Sequence, residues 1–335
     1  MNLSNNSKKP ARNLRKDVKR HFLVIAHPTD LMTDLSHVMP TLPEEYFDAA
    51  KSFQYNLEAA VATISIPLTL AMASARGWRF RQLHIAELIR SDFEPGGDPD
   101  DPPYKEALLS AQQKMQQELG SEEGVDHLAD STCEFLMSVH KEESVVDAAA
   151  ELLRQGTVLV WGAFEVLTRD LLEQYVNSDP ECGVRILRSI EGRRLFQMKS
   201  IDLDTLAGYD YDISNKLGTI LVSIQEISNL ATIKTIFKIL FPENTYLREA
   251  LGQKDLWTLS QRRHLIVHNR GIVDQRYLDN TGDNFSLGER LSIAPGDIER
   301  YVDLVQKAGT RLLQAASGNM PPDNDVNNNV ETTGK

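Results

Sequence analysis

Apolar side chains recur every three or four positions along most of the chain, the spacing that lines one face of an α-helix. After a short apolar run, Phe22 to Ala26, Pro43 and Glu44 open a stretch in which Phe47, Ala50, Phe53, Leu57 and Val61 keep this period. One long helix ending near Gly77 is expected there. Phe80, Leu83, Ile85 and Leu88 predict another, and Glu94 to Pro103 then gathers Gly, Pro and Asp into a loop. Helical periodicity resumes over Tyr104 to Leu119 and Leu128 to Val139, broken by Gly120 to Gly124. Val145, Val146, Ala149, Leu152 and Leu153 form a further apolar stripe. Val158 to Tyr175 reads as a strongly apolar helix that should be largely buried, its charges arriving only at Glu165, Arg169, Asp170 and Glu173. Shorter helical patterns follow at Asn215 to Ile224, Ile233 to Leu240 and Tyr246 to Leu251, with Pro242 as a stop. The expected fold class is all-α, a helical bundle in the C-terminal half joined to a mainly helical N-terminal region.

Composition adds limits to this pattern. The chain has 335 residues, enough for at least one large core, and 41% hydrophobic with 25% charged residues is an ordinary globular balance. Residues 1–20 concentrate Lys and Arg among Asn and Ser, so a disordered basic tail is expected; residues 317–335, rich in Asn, Asp and Thr, are expected to form a second disordered tail. Between the first tail and residue 140 lies a mainly helical region, 21–140, to which no role attaches. The apolar run Ile64 to Ala75 is too short to span a bilayer and contains Pro67, so no membrane partner is expected. Two cysteines, Cys133 and Cys182, suit neither a disulfide framework nor a four-cysteine zinc site, and fit a reducing cytoplasm. A net charge of −12 argues against non-specific coating of nucleic acid, so any RNA contact must be local.

Asp255 to Arg270, followed by Gly271, carries the chemistry. At about 100° per residue, Leu256, Leu259, Ile266 and Val267 share one arc, and Arg263 falls within it. An arginine there must meet water, a carboxylate or a phosphate, because its charge cannot be removed. Glu165, a carboxylate in an apolar helix, is the structural candidate for that partner. His264 and His268 stand one turn apart, so their rings can be close. His268 lies in the last turn, where the helix dipole favours its protonated form, and it suits acid or base work as well as simple capping. Zinc at two histidines would need further ligands, and none is evident nearby, so no metal and no cofactor are expected. Arg263 and His268 stand roughly 140° apart on an ideal helix, so they converge only through the reach of the arginine, a distorted last turn, or a second subunit. Arg185, Arg188, Arg193, Arg194, Arg262, Arg270 and Arg276 are further candidates to line a groove, or simply a solvated face.

The segment RHLIVHNRGIVDQRYL, Arg263 to Leu278, resembles the HEPN superfamily, whose signature is Arg, four residues, then His, with a polar residue often directly after the Arg. His264 occupies that polar place. Ala163 to Leu172 looks like an early helix of that family and Phe285 to Leu313 like its end, so the resemblance spans residues 141–316. It implies an all-α bundle that dimerises, brings two copies of the motif to one groove, and in active members cuts RNA without a metal, often in toxin–antitoxin or antiphage systems. Carried over by residue, Arg263 stabilises charge on the phosphate and His268 is the general acid or base. His264, Glu165 and Asn269 take supporting places. The expected partners are therefore an RNA substrate, a second copy of the chain, and an antitoxin or defence partner protein. A non-catalytic module that binds RNA, a nucleotide or a protein, and a helical scaffold in which Arg263 is a buried ion pair, are the other readings.

Overall fold

A computed structural model of the chain describes residues 8–25, 28–91, 93–94, 96–197 and 201–318. The fold is all-α: the described residues form sixteen α-helices and three short 3₁₀ turns, and the only strand-like pairing among them is an isolated bridge between Ile272 and Arg290. In chain order the first helices are α1 (Lys8–His21), α2 (Thr33–Val38), α3 (Phe47–Ile64), α4 (Ile66–Arg90), α5 (Pro102–Leu119) and α6 (Glu122–Val139). Then come α7 (Glu143–Ser178), α8 (Pro180–Arg188), α9 (Ile190–Phe196), α10 (Leu203–Ala207) and α11 (Leu217–Ile224). The last are α12 (Leu230–Leu240), α13 (Thr245–Gly252), α14 (Lys254–Asn269), α15 (Gln275–Thr281) and α16 (Pro295–Ala316). No single described helix is long and apolar enough to cross a membrane.

The chain divides into two compact units. Among the described residues the first holds those within 8–25, 62–153 and 293–297; the second holds those within 28–61, 154–292 and 298–318. This division differs from the expected split at residue 140: the boundary falls at Leu153/Arg154, inside α7, a helix of 36 residues, and residues 28–61 group with the C-terminal half.

In the first unit α4 packs on α5 and α6, and α1 packs on α6. Val18, Phe22, Leu68, Ala71, Leu136 and Ala149 form its core cluster. Residues 8–20 are therefore not a disordered tail. Val18 is fully buried, and Arg15 bonds Asp130 at 2.6 Å and Asp126 at 3.1 Å, tying α1 to α6. Average composition concealed this, because the apolar stripe of α1 is narrow while its basic residues are numerous. The rest of that expected tail, residues 1–7, and residues 319–335 of the other lie outside the described residues; Ser317 and Gly318 form a turn. Arg79 grips Glu118 with two hydrogen bonds, of 2.6 and 2.9 Å, joining α4 to α5. The turn into α6 is tight: a Cβ at Gly124 would collide with the Glu118 carbonyl, and the Ser121 hydroxyl caps the helix by accepting from Gly124 N.

In the second unit the later part of α7 is the buried axis, with Val160, Trp161, Phe164, Leu167, Leu171 and Val176 fully enclosed, as its apolar pattern predicts. Phe53 and Leu57 of α3, Ile233 and Ile236 of α12, Leu256 and Leu259 of α14, and Val302 and Leu312 of α16 are buried in the same unit. Gly309 lets α16 come close, since a Cβ there would strike Phe53 and Leu167.

Candidate functional site on the fourteenth helix

Two consecutive arginines set the geometry of α14. Its buried residues are Leu256, Leu259, Ser260, Arg262, Leu265 and Ile266, whereas Val267 is 47% exposed. The buried face is thus rotated from the one the spacing suggests: it takes in Arg262 and Leu265 and leaves Val267 out.

Arg262, expected among groove-lining cations, is buried and bonded on every side. Its Nη1 donates to the Tyr301 hydroxyl at 2.5 Å, its Nη2 to Asp283 Oδ2 at 2.8 Å, and its Nε to Asp283 and to the Tyr277 hydroxyl at 3.1 and 3.2 Å. The Tyr277 hydroxyl also donates to Asp283. Burial raises the Tyr277 pKa, and the hydrogen bond to Asp283 raises it further. Burial alone would raise the Asp283 carboxyl, but Tyr277 and Arg262 outweigh it and hold it below the ordinary range. A buried guanidinium needs such a set of acceptors, and this one ties α14 to α15, to the segment after it and to α16.

Arg263 sits at the edge of the buried face, its side chain 18% exposed. Its Nη2 lies 3.1 Å from Glu165 Oε1 and 3.2 Å from Oε2, while its Nε is enclosed with no hydrogen-bond partner. Glu165 is placed by α7. Its Oε1 accepts from Trp161 Nε1 at 2.6 Å, and that same indole also donates to the Ser228 carbonyl at 3.0 Å. Burial pushes the Glu165 carboxyl above its usual range, with the charge of Arg263 and the indole bond opposing. The carboxylate that looked stranded in an apolar helix therefore has a partner, the one its position suggested.

His264 and His268 are both exposed, and their ring centroids stand 4.5 Å apart at 43°. Partial loss of solvent lowers the His264 pKa, with positive charge at His268, Arg276 and Arg263 acting in the same direction and Asp274 opposing. Arg276 is exposed on α15, whose start Asp274 caps by accepting from Tyr277 N at 2.8 Å. Asn269 is exposed and folds its amide back on the chain: Nδ2 donates to the Ile272 carbonyl at 2.6 Å, and Ile272 N donates to the Asn269 carbonyl at 2.9 Å. That side chain closes the turn after the helix. Gly271 stands just past the helix end as expected, with φ +74°, but Arg270 adopts φ +54° as well. The N–H of each points at the Leu265 carbonyl.

The helix thus brings His264 to His268 and Arg263 to Glu165. It does not join Arg263 to His268 by any hydrogen bond among the described residues. Of the other basic candidates, Arg185 is occupied by the Leu240 carbonyl and Cys182, and Arg188, Arg193 and Arg194 are exposed on α8 and α9. Among the described residues no three His, Cys, Asp or Glu side chains gather closely enough to hold a metal ion. Sequence reasoning missed the roles of Tyr277, Asp283 and Tyr301. The arc Leu259, Arg262, Ile266 signals that an arginine there needs acceptors, though not which residues supply them. No family model, curated protein or solved structure matches the chain.

Proposed function

We infer that the protein is a metal-independent endoribonuclease of the HEPN type. The observation that carries this reading is the exposed His264–His268 pair, 4.5 Å apart, with the guanidinium groups of Arg263 and Arg276 in electrostatic reach of His264. Such a cluster suits a phosphodiester. A neutral imidazole takes the proton of a ribose 2′-hydroxyl as its oxygen bonds to phosphorus, and an imidazolium protonates the departing 5′-oxygen, leaving a 2′,3′-cyclic phosphate. His268 is the general acid or base and His264 its support, and the lowered pKa of His264 favours its neutral form. Arg263 meets the charge that grows on the phosphate, held by Glu165. A second copy supplies the other half of the groove, which answers the angular separation of Arg263 and His268 on one helix. In a cell this is the activity of a toxin or antiphage effector restrained by a partner protein.

The test is mixed RNA in EDTA with wild type, His268→Ala and Arg263→Ala, reading fragment ends for cyclic phosphate. Cutting by wild type and its loss in both variants is expected; intact RNA with wild type, or undiminished cutting by His268→Ala, overturns the reading. Light scattering at micromolar concentration should find a dimer. One observation favours a second reading, a non-catalytic module that binds RNA: the charge of Arg263 is already met by Glu165. On that reading wild type shifts RNA in a gel without shortening it.

A further inference from the structure

In the first unit, away from α14, α1, α4 and α6 enclose a cavity of about 300 Å³. Its wall is apolar: Val18 from α1, Leu68 from α4 and Leu128 from α6 are buried against it. The one hydroxyl there, that of Thr132, is spent on the Leu128 carbonyl at 2.7 Å, so the interior offers a ligand hydrophobic contact and little else. The rim is different. Arg15, Lys19 and Arg76 stand on it, and no Asp or Glu is among the described residues that line the cavity. Arg15 is engaged by Asp126 and Asp130, whereas Lys19 and Arg76 are exposed and bonded to no acidic group among the described residues. In a chain of net charge −12, two uncompensated cations at the mouth of an apolar hole form a local exception.

We propose that this cavity binds a medium-chain fatty carboxylate, its tail against Val18, Leu68 and Leu128 and its headgroup between Lys19 and Arg76. Volume sets the tail length, because pockets for small molecules begin at roughly 300 Å³ and a long acyl chain would not fit. Charge sets the headgroup, because an uncharged or cationic amphiphile leaves the two cations unanswered or repels them. The occupant is a free amphiphile, and the site stands independently of any activity at α14.

Calorimetric titration of the full chain with decanoate below its micelle concentration tests the proposal, with 1-decanol and decyltrimethylammonium as matched tails. One saturable site is expected, with decanoate at least tenfold tighter than decanol and the ammonium weakest. Lys19→Gln with Arg76→Gln should erase the preference for decanoate. Ala129→Phe, which fills the cavity from α6, should abolish binding of both tails; circular dichroism checks that each variant folds. Cys133 lies on the cavity wall and Cys182 is fully buried elsewhere, so alkylation of Cys133 reports occupancy. Decanoate should slow that alkylation severalfold. Absence of saturation, equal affinity for decanoate and decanol, or binding that leaves Cys133 alkylation unchanged each overturns the proposal.

Discussion

Arg262 and Arg263 are neighbours in the chain and opposites in the fold. Arg262 is enclosed by two tyrosine hydroxyls and a carboxylate and holds helices together; Arg263 reaches one carboxylate from the rim, with its Nε left over. One step along a helix is a turn of about 100°, enough to carry a guanidinium from core to edge. The contrast teaches that an arginine in a helix motif carries no role by type alone: its acceptors decide whether it is structural cement or a cation still able to meet a ligand.

The comparison breaks most easily at Arg262. Arg262→Ala leaves Asp283 half-buried without its counter-charge, and a loss of about 3–5 kcal/mol is expected in urea unfolding. Arg263→Met leaves Glu165 enclosed without its counter-charge but breaks one ion pair where Arg262→Ala also strips two tyrosine hydroxyls, so a smaller loss of about 2–3 kcal/mol is expected together with loss of the proposed RNA cleavage, and a loss as large as that of Arg262→Ala would make the two arginines equivalent after all. Trp161→Phe removes the indole donor to Glu165 and Ser228 and leaves a small cavity where a fully buried ring stood, a loss of about 2 kcal/mol by thermal unfolding. His268→Ala, on an exposed residue, should change stability by about 0.5 kcal/mol or less while abolishing the proposed RNA cleavage.

The two carboxylates extend the contrast to pH. Asp283 has a lowered pKa when folded, so it stabilises the fold above the ordinary aspartate range, and that contribution is lost as pH falls through the folded value. Glu165 has a raised one, so its effect runs the other way: its protonated form is the better tolerated, and stability is lost as pH rises from the ordinary glutamate range through the folded value. Unfolding across pH 2–7 should therefore show Asp283→Asn flattening the acid side and Glu165→Gln flattening the limb above it.

How far the sequence is legible varies from residue to residue. The burial of α7, the closeness of the two histidines and the Glu165–Arg263 pairing all follow from helical spacing, because each depends on positions one to a few turns apart or on one charge needing another. Helix ends are less legible. Gly77 is expected to end a helix, yet α4 runs from Ile66 to Arg90 through it, on a surface with open space around the glycine where its cost is only about 1 kcal/mol. The real break comes at Ser65, just before Pro67 in the first turn of α4, where a missing N–H is harmless. Tyr277, Asp283 and Tyr301 were invisible for a different reason. They lie 15, 21 and 39 residues from Arg262, and no local period links positions that only the tertiary fold brings together.

The intrusion of Gly309 between Phe53 and Leu167 has a consequence for how the protein is made. A nascent chain emerges from the ribosome with Phe53 and Leu167 already translated, but Gly309 of α16, which packs against them, arrives more than a hundred residues later. Until then the second unit carries an open apolar seam, and its assembly must wait until α16 has been made.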